Sequence, residues 1–284
     1  MSKEFDFDLV DSGAQDPVQF SAPIIWWKHG KSELEEAGGI NHTGGFFFTY
    51  DQAGEGTQIE GWKESWFKGS DGSKVYGLAT AKARLVIIRS RRRWFKEDGN
   101  RTLYRAWNDY AEGFRGQMQA IGFVQGYDAP VCFSFKGNII SYVESCIRYH
   151  ASKVVSVANQ SAPEGKKLPS YALWMPILSG KHFEAGKGNQ THEVTMPELW
   201  TPKTIDRAYA LQAYIGKDLL LRAQSLYRDL DDWVRQWERF STDAEMPLGA
   251  ADKAFEDDVK AVFREDRQPA HFAGNVADES EIPF

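Results

Sequence analysis

Basic and aromatic side chains are concentrated in one segment of the chain, residues 81–107. The sequence of this segment is AKARLVIIRSRRRWFKEDGNRTLYRAW. Lys82 and Arg84 alternate along an apolar run, and four arginines then occupy the five positions from Arg89 to Arg93. Solubility alone does not require such a density of one charge, so the segment is typical of a surface that binds a polyanion.

The same segment has the pattern of a β-hairpin. β-Branched and aromatic residues flank Asp98–Asn100, which supplies turn chemistry. Antiparallel pairing about this turn would bring Trp94 and Phe95 close to Leu103 and Tyr104. Rings that stack on unpaired bases, combined with cations that follow the phosphates, are what binding of single-stranded nucleic acid requires. The alternative is a charged hairpin in solvent whose aromatic side chains face the core.

The candidate nucleic-acid-binding residues are basic or aromatic and come from this hairpin and from the predicted strands before it. They are Lys82, Arg84, Arg89, Arg91, Arg92, Arg93, Trp94, Phe95, Arg101, Tyr104, Arg105, Trp107, Trp62 and Trp66. The last two are included because lysines accompany both tryptophans in the sequence.

Familiar catalytic signatures are incomplete in this sequence. The stretch from Gly180 to Gly188 imitates a phosphate-binding loop, but its glycine spacing is one residue too long and it lacks the Ser or Thr that binds Mg²⁺. His192 has no second histidine at zinc-protease spacing. Cys132, Cys146 and His150 lack a C-x-x-C knuckle. We therefore predict a non-catalytic protein with no metal and no cofactor.

The formal net charge of −6 hides a segregation of charge along the chain. Lys82–Arg115 contains 10 basic and 4 acidic residues, whereas Ser241–Phe284 contains 4 basic and 11 acidic residues. A basic segment of this kind can bind a polyanion although the whole chain is acidic. The two cysteines, together with the lack of a signal-peptide core or a membrane-spanning run, indicate a cytoplasmic, nucleoid-associated protein with no membrane partner.

Hydrophobic patterning predicts an α+β fold that is mainly β. Seven short runs rich in aromatic and β-branched residues lie between residues 18 and 135, namely VQFSAPIIWW, GGFFFTYD, IEGWKESWF, KVYGLAT, ARLVIIRS, TLYRAW and VCFSF. Apolar residues at intervals of three and four predict a helix from Asn138 to Val154, and YALWMPIL and HEVTMPELW follow as strands. This order is that of an OB-fold barrel with an inserted helix, so residues 1–200 are predicted to be an OB-like nucleic-acid-binding domain.

Residues 201–240 predict one long helix. Thr201 can cap it, and Pro202 suits the first helical position. From Leu219 to Phe240 apolar residues recur alternately four and three apart, a stripe typical of a coiled coil. The stripe would either pack the helix on its own domain or join two copies of the chain as a homo-oligomer. Residues 241–284 are predicted to be an acidic tail. Within it DKAFEDDVKAVFRED can form a short amphipathic helix, and the residues after Arg267 are predicted to be disordered.

The chain ends in ADESEIPF, acidic residues followed by a terminal apolar group. This end resembles the C-terminal tip of bacterial single-stranded-DNA-binding proteins, which finish in acidic residues and Ile-Pro-Phe. The matching residues are Asp278, Glu279, Glu281, Ile282, Pro283 and Phe284. The resemblance implies a protein that coats single-stranded DNA without strong sequence preference. It also implies that the tip recruits replication, recombination and repair proteins, with Phe284 in a pocket of the partner and its carboxylate on Arg or Lys.

The body of the chain differs from that family, whose members have one compact OB-fold and a linker rich in Gly, Pro and Gln. Here the aromatic region is longer, a long helix is predicted and the linker is short. Two alternatives therefore remain open. One is a recombination mediator or strand-annealing protein, and the other is a metal-dependent nuclease whose site is built from residues far apart in sequence.

Overall fold

A mixed β-sheet of ten strands dominates the part of the chain that the structure describes. The computed structural model describes residues 22–30, 44–68, 73–98, 101–160, 162, 164, 166–185 and 192–237. The strands are β1 (Ile24–Lys28), β2 (Gly45–Thr49), β3 (Lys63–Lys68), β4 (Lys74–Thr80), β5 (Lys82–Asp98), β6 (Arg101–Ala106), β7 (Arg115–Val124), β8 (Val131–Lys136), β9 (Met175–Ala185) and β10 (His192–Leu199). The helices are α1 (Tyr50–Ala53), α2 (Ile139–Tyr149), α3 (Ser156–Asn159), α4 (Arg207–Gln212), α5 (Lys217–Asp229) and α6 (Asp231–Gln236). The fold is α+β and mainly β, as the patterning predicts.

Strand β5 organises the sheet, whose strand order is β10-β9-β5-β7-β8-β1-β2-β4-β3. Along one side β5 pairs with β7, and along the other it pairs first with β9 and then with β6. Strands β1 and β8 run parallel, and the other pairs are antiparallel. A single residue, Ala81, separates β4 from β5, so the two hairpins β3–β4 and β5–β6 are carried by nearly continuous extended chain.

The open sheet curls strongly, because strands that are distant in its order touch one another. Trp27 of β1 donates its indole N–H to the carbonyl of Thr195 in β10 at 2.9 Å, although four strands separate β1 from β10 in the sheet. The backbone N–H of Thr195 donates to Nδ1 of His29 at 3.0 Å, and Ser179 of β9 donates to the carbonyl of Gly44 at 2.8 Å. The concave face thus encloses one apolar core, which α2 closes with Ile139, Ile140, Val143 and Cys146.

Most predicted strands are confirmed, and β4 has the predicted bounds, but β7 is absent from the prediction. Nine of its ten residues are buried, including Gln117 and Gln119, so the strand has no alternation of polar and apolar positions to reveal it. Gly122 is required at its far end, since a Cβ there would lie 1.7 Å from the carbonyl oxygen of Val86. This close approach lies beside the register shift of β5 against β7 between Ile87 and Arg89.

The predicted helix from Asn138 is confirmed as α2, but it continues differently from an ideal α-helix. A π-helical turn from His150 to Val155 follows α2 and leads into α3. His150 is buried at the start of this turn, and its Nε2–H donates to the carbonyl of Trp174 at 3.2 Å. Burial lowers the pKa of His150 from 6.5 to about 4, and the hydrogen bond to Trp174 offsets only part of that decrease.

Acid is expected to destabilise the fold through His150. Between pH 6.5 and pH 4 the imidazole takes up a proton in the unfolded chain but not in the folded one, so the free energy of unfolding falls as the pH falls. The full loss is about 3 kcal/mol. The His150→Gln variant keeps an N–H donor without a titrating group. Urea unfolding of both proteins at about pH 7 and about pH 4.5 measures the difference, and an equal pH dependence in the two would contradict the assignment.

The prediction of one long helix over residues 201–240 is wrong. Residues Ala213–Gly216 interrupt it, because Tyr214 forms a β-bridge with Leu173 and Gly216 has φ +86°. The single residue Leu230 then separates α5 from α6. No helix within the described ranges has the length and apolar composition needed to span a membrane.

The apolar stripe predicted for Leu219–Phe240 packs against the chain's own sheet instead of forming an open seam for a second copy. Its buried members are Ala223, Leu226, Leu230, Trp233 and Trp237. The first four join a second core on the convex face of the sheet with Val86, Ile88, Ile121 and Phe123. The side chains that would join two copies are therefore already used within one copy. Phe240 and the predicted tail, residues 241–284, lie outside the described residues.

Candidate nucleic-acid interface

The predicted β5–β6 hairpin is present, with Trp94 opposite Arg105 and Phe95 opposite Tyr104. Successive side chains of a strand point to opposite faces, so the arginine cluster is divided between two environments. Arg89, Arg91, Arg93, Phe95 and Tyr104 form what we call the helix-covered face. Arg92, Trp94, Arg105, Trp107 and Tyr110 form what we call the platform face.

On the helix-covered face, the side chain of Arg89 contacts both α5 and α6 and so attaches them to β5. Its guanidinium carbon lies 3.6 Å from the ring centroid of Tyr227, and the group forms an ion pair with Asp231. Its Nε–H also donates to the carbonyl of Tyr227 at 3.4 Å. Arg89 therefore makes a stacking contact and a charge contact with the same pair of helices.

Arg91, the next residue of β5 on the same face, also attaches the C-terminal helices to the sheet. Its guanidinium carbon lies 4.1 Å from the ring centroid of Trp233 and 4.3 Å from that of Trp237. Its N–H groups donate to the side-chain oxygen of Gln119 at 2.8 Å and to the carbonyl of Trp233 at 3.0 Å. Gln119 on β7 thus fixes the guanidinium plane on which the two indoles of the C-terminal helices lie.

Arg93 is the most deeply buried of the arginines in the cluster, with 3% of its surface exposed. Its guanidinium carbon lies 3.6 Å from the ring centroid of Tyr104 and 4.2 Å from that of Trp237, and its Nε–H donates to Gln117 at 2.8 Å. Tyr104 and Phe95 are themselves 2% and 3% exposed. The helix-covered face therefore performs a structural task, because its cations and rings contact groups of the same chain.

The platform face carries an aromatic cluster that reaches the surface. The indoles of Trp94 and Trp107 are stacked, with ring centroids 4.3 Å apart and planes 7° from parallel. The indole N–H of Trp94 donates to the carbonyl of Trp107 at 2.9 Å, which locks the pair in place. Tyr110 lies edge-on to Trp94 at 4.9 Å and is 51% exposed. Trp94, Trp107 and Tyr110 are the aromatic platform.

Two arginines border the aromatic platform, and each has an acidic neighbour at the surface. The guanidinium group of Arg92 lies 5.1 Å from the ring centroid of Trp107 and forms an ion pair with Glu144 of α2. Arg105 forms an ion pair with Asp109 at 3.1 Å. Both arginines are partly exposed, so a phosphate could replace the carboxylates as their partner.

The remaining predicted site residues are not gathered at the platform. Lys82 and Arg84 lie at the opposite end of β5, where they pair with β9. Trp62 packs on Phe46 and Phe48 of the concave core, with ring centroids 6.4 and 6.5 Å away. Trp66 lies on the β3–β4 hairpin. The side chain of Arg101 and the tip residues Asp278, Glu279, Glu281, Ile282, Pro283 and Phe284 lie outside what the structure describes.

Tyr110 is the platform residue that sequence reasoning missed. It follows β6 in a turn, three residues after Trp107, where neither strand nor helix periodicity marks it. The local composition around Tyr110 could have indicated it. A tyrosine whose neighbours in a loop are acidic and small residues has no apolar neighbours to bury it, so it is expected at the surface.

The two thiols and the imidazole of His150 are all buried. Burial raises the pKa of Cys146 to about 12, and its thiol lies 3.9 Å from the carbonyl of Pro197. Cys132 is also buried, and His150 contacts Trp174. Within the ranges described, no three or more His, Cys, Asp or Glu side chains lie close enough to hold a metal ion.

Comparisons with known proteins add no relative to this picture. No protein family, no curated protein and no solved structure matches the chain. A functional conclusion about the chain therefore depends on its own residues and their contacts.

Because Arg93 lies on the helix-covered face and Arg92 on the platform face, substitutions at these two neighbouring positions should reduce stability by different amounts. Arg93→Ala removes the stacking on Tyr104 and Trp237 and leaves Gln117 without its donor, so the free energy of unfolding should fall by about 2–4 kcal/mol. Arg92→Ala removes a partly exposed ion pair and should cost about 1 kcal/mol or less. Urea unfolding of the two variants makes the comparison, and equal losses would show that the two faces do not differ as described.

Proposed function

We propose that the protein binds single-stranded DNA on the platform face and recruits replication, recombination or repair proteins through its acidic C-terminal tip. The observation that carries the proposal is the aromatic platform, in which a locked pair of indoles and a half-exposed tyrosine lie beside Arg92 and Arg105. The resemblance of the tip to that of bacterial single-stranded-DNA-binding proteins supports it independently.

The chemistry of the platform suits an unpaired strand. A base that stacks on a protein ring contributes about 1–3 kcal/mol, largely irrespective of its identity. The Trp94–Trp107 pair needs no reorganisation to present such a ring, because its hydrogen bond already fixes it. Arg92 and Arg105 can meanwhile transfer from Glu144 and Asp109 to phosphates, which releases counterions from the DNA and makes binding sensitive to salt.

We also propose that the curled sheet is a divergent OB-like barrel. In its favour, the sheet closes over one core through the contact between β1 and β10, and a helix enters between β8 and β9 and packs on that core. The OB-fold binds oligonucleotides on an exposed strand face and its neighbouring loops. The aromatic platform, on the β5–β6 hairpin and the loop that follows it, is the surface that we propose for the corresponding role here.

Substitutions in the platform are expected to weaken DNA binding without unfolding the protein. Tyr110→Ala and Trp107→Ala should each raise the Kd for oligo-dT about 5- to 100-fold, because each removes one stacking surface. The matched control is Tyr149→Ala, since Tyr149 is a 44% exposed tyrosine on α2 outside the platform. Fluorescence anisotropy of labelled oligo-dT, with circular dichroism to confirm folding, measures the effect.

The same titrations can refute the proposed function. Wild-type protein that fails to bind oligo-dT at low salt, or binding that does not weaken between about 50 and 200 mM salt, would contradict it. Incubation with complementary strands tests for annealing, and incubation of labelled DNA with Mg²⁺ or Mn²⁺ tests for cleavage. Cleavage that persists in the pure protein would make the nuclease interpretation the better one.

Deletion of Ile282–Phe284 should separate recruitment from DNA binding. The variant is expected to bind oligo-dT at least as tightly as the intact chain, because the deleted residues carry no cation that could meet a phosphate. It should lose binding to purified proteins that dock on the tip of bacterial single-stranded-DNA-binding proteins. Phe272→Ala is the control within the tail. Weakened DNA binding after the deletion would mean that the tip belongs to the DNA site.

A further inference from the structure

The β3–β4 hairpin carries a second aromatic and basic surface at the edge of the sheet. Trp66 and Tyr76 are directly opposed in the antiparallel register of β3 and β4, so their side chains lie on the same face. Tyr76 is 54% exposed, and Trp66 is half-buried. Strand β3 ends the strand order of the sheet, so no further described strand covers the hairpin on that side.

A cation accompanies these two rings. The Nζ atom of Lys74 lies 4.1 Å from the ring centroid of Trp66. Lys74 precedes Tyr76 by two residues on β4, so its side chain lies on the same face as the two rings. An anionic ligand on this face can therefore meet both the rings and the ammonium group.

The two faces of this hairpin have different partners. On the opposite face Phe67 is buried and contacts Phe47 at a centroid distance of 4.9 Å, edge to face. Phe67 and its register partner Val75 thus belong to the convex core. The convex core holds the hairpin through Phe67, and the exposure of Tyr76 on the other face leaves its ring open to a ligand.

We propose that Trp66, Lys74 and Tyr76 form a second contact site for the same single strand of DNA, a site that rests on the proposed function and extends it. A base stacks on Tyr76, and the ammonium group of Lys74 meets a neighbouring phosphate while it remains over Trp66. The combination of two rings and a cation favours a polynucleotide over an acidic peptide, which would use Lys74 but gain less from the rings.

Nearly continuous chain joins this site to the platform. Tyr76 belongs to β4 and Trp94 to β5, and only Ala81 separates these two strands. A DNA strand that engages both hairpins must therefore be longer than one that fills the platform alone. The second site should contribute most to the binding of long oligonucleotides.

The test compares Tyr76→Ala and Lys74→Gln with wild-type protein and with the Tyr149→Ala control. For oligo-dT of about 30 nucleotides, Tyr76→Ala should raise the Kd about 5- to 100-fold. Lys74→Gln should lower the slope of log K against log salt by about 0.7, as expected for one lost phosphate contact to a single strand. Ultraviolet crosslinking of oligo-dT followed by mass spectrometry should recover adducts in the peptide that contains Tyr76.

Each outcome decides between the two proposals. If wild-type protein binds oligo-dT and the platform variants weaken it, but Tyr76→Ala and Lys74→Gln bind as the wild type does, the second site is refuted and the proposed function stands. If wild-type protein does not bind oligo-dT at all, both fail. If Tyr76→Ala instead weakens binding of poly-glutamate and leaves oligo-dT unchanged, the hairpin binds an acidic peptide and the inference is overturned.

Discussion

The guanidinium group of Arg91 lies between the indoles of Trp233 and Trp237 and is held in plane by Gln119. This contact joins the C-terminal helices to the long strand β5, and with Arg89 and Arg93 it closes the convex side of the sheet. A guanidinium group is weakly hydrated and keeps its charge when it is stacked, so it can tolerate a position under a helix that a lysine ammonium would resist. The presentation of the β5–β6 hairpin depends on this attachment, because β5 is one of its two strands.

The register shift between Ile87 and Arg89 determines which arginines perform this task. An extra residue in one strand exchanges the faces to which the following side chains point. Ile88 and Arg89 thereby both serve the convex side, since Ile88 joins its core and Arg89 contacts Tyr227. Arg91 and Arg93 follow on that side, which leaves Arg92 and Trp94 for the platform. The register shift at Ile88 thus decides which arginines have a structural role and which can contact a ligand.

The sequence predicts much of the fold because aromatic and β-branched runs mark most of the strands. The turn at Asp98–Asn100 predicts the β5–β6 hairpin but not its full register, since Trp94 lies opposite Arg105 and Leu103 lies opposite Lys96. The sequence does not reveal β7, whose glutamines are buried as partners of Arg91 and Arg93. It also does not reveal the break at Leu230, because the heptad pattern of apolar residues continues through this position. Gly216, where the helix is interrupted before α5, is recognisable in the sequence as a residue that can bend a helix. For the candidate site, alternation shows that neighbouring arginines face opposite ways, but only tertiary packing decides which face a helix covers.

The spacing of the Trp94–Trp107 stack limits how any planar group can meet it. At a centroid distance of 4.3 Å the two rings are already in contact, and a third ring inserted between them would have to push them roughly twice as far apart. The hydrogen bond from Trp94 to the Trp107 carbonyl resists such a separation. A nucleobase can therefore be added only to the outside of the pair and cannot intercalate between its two rings.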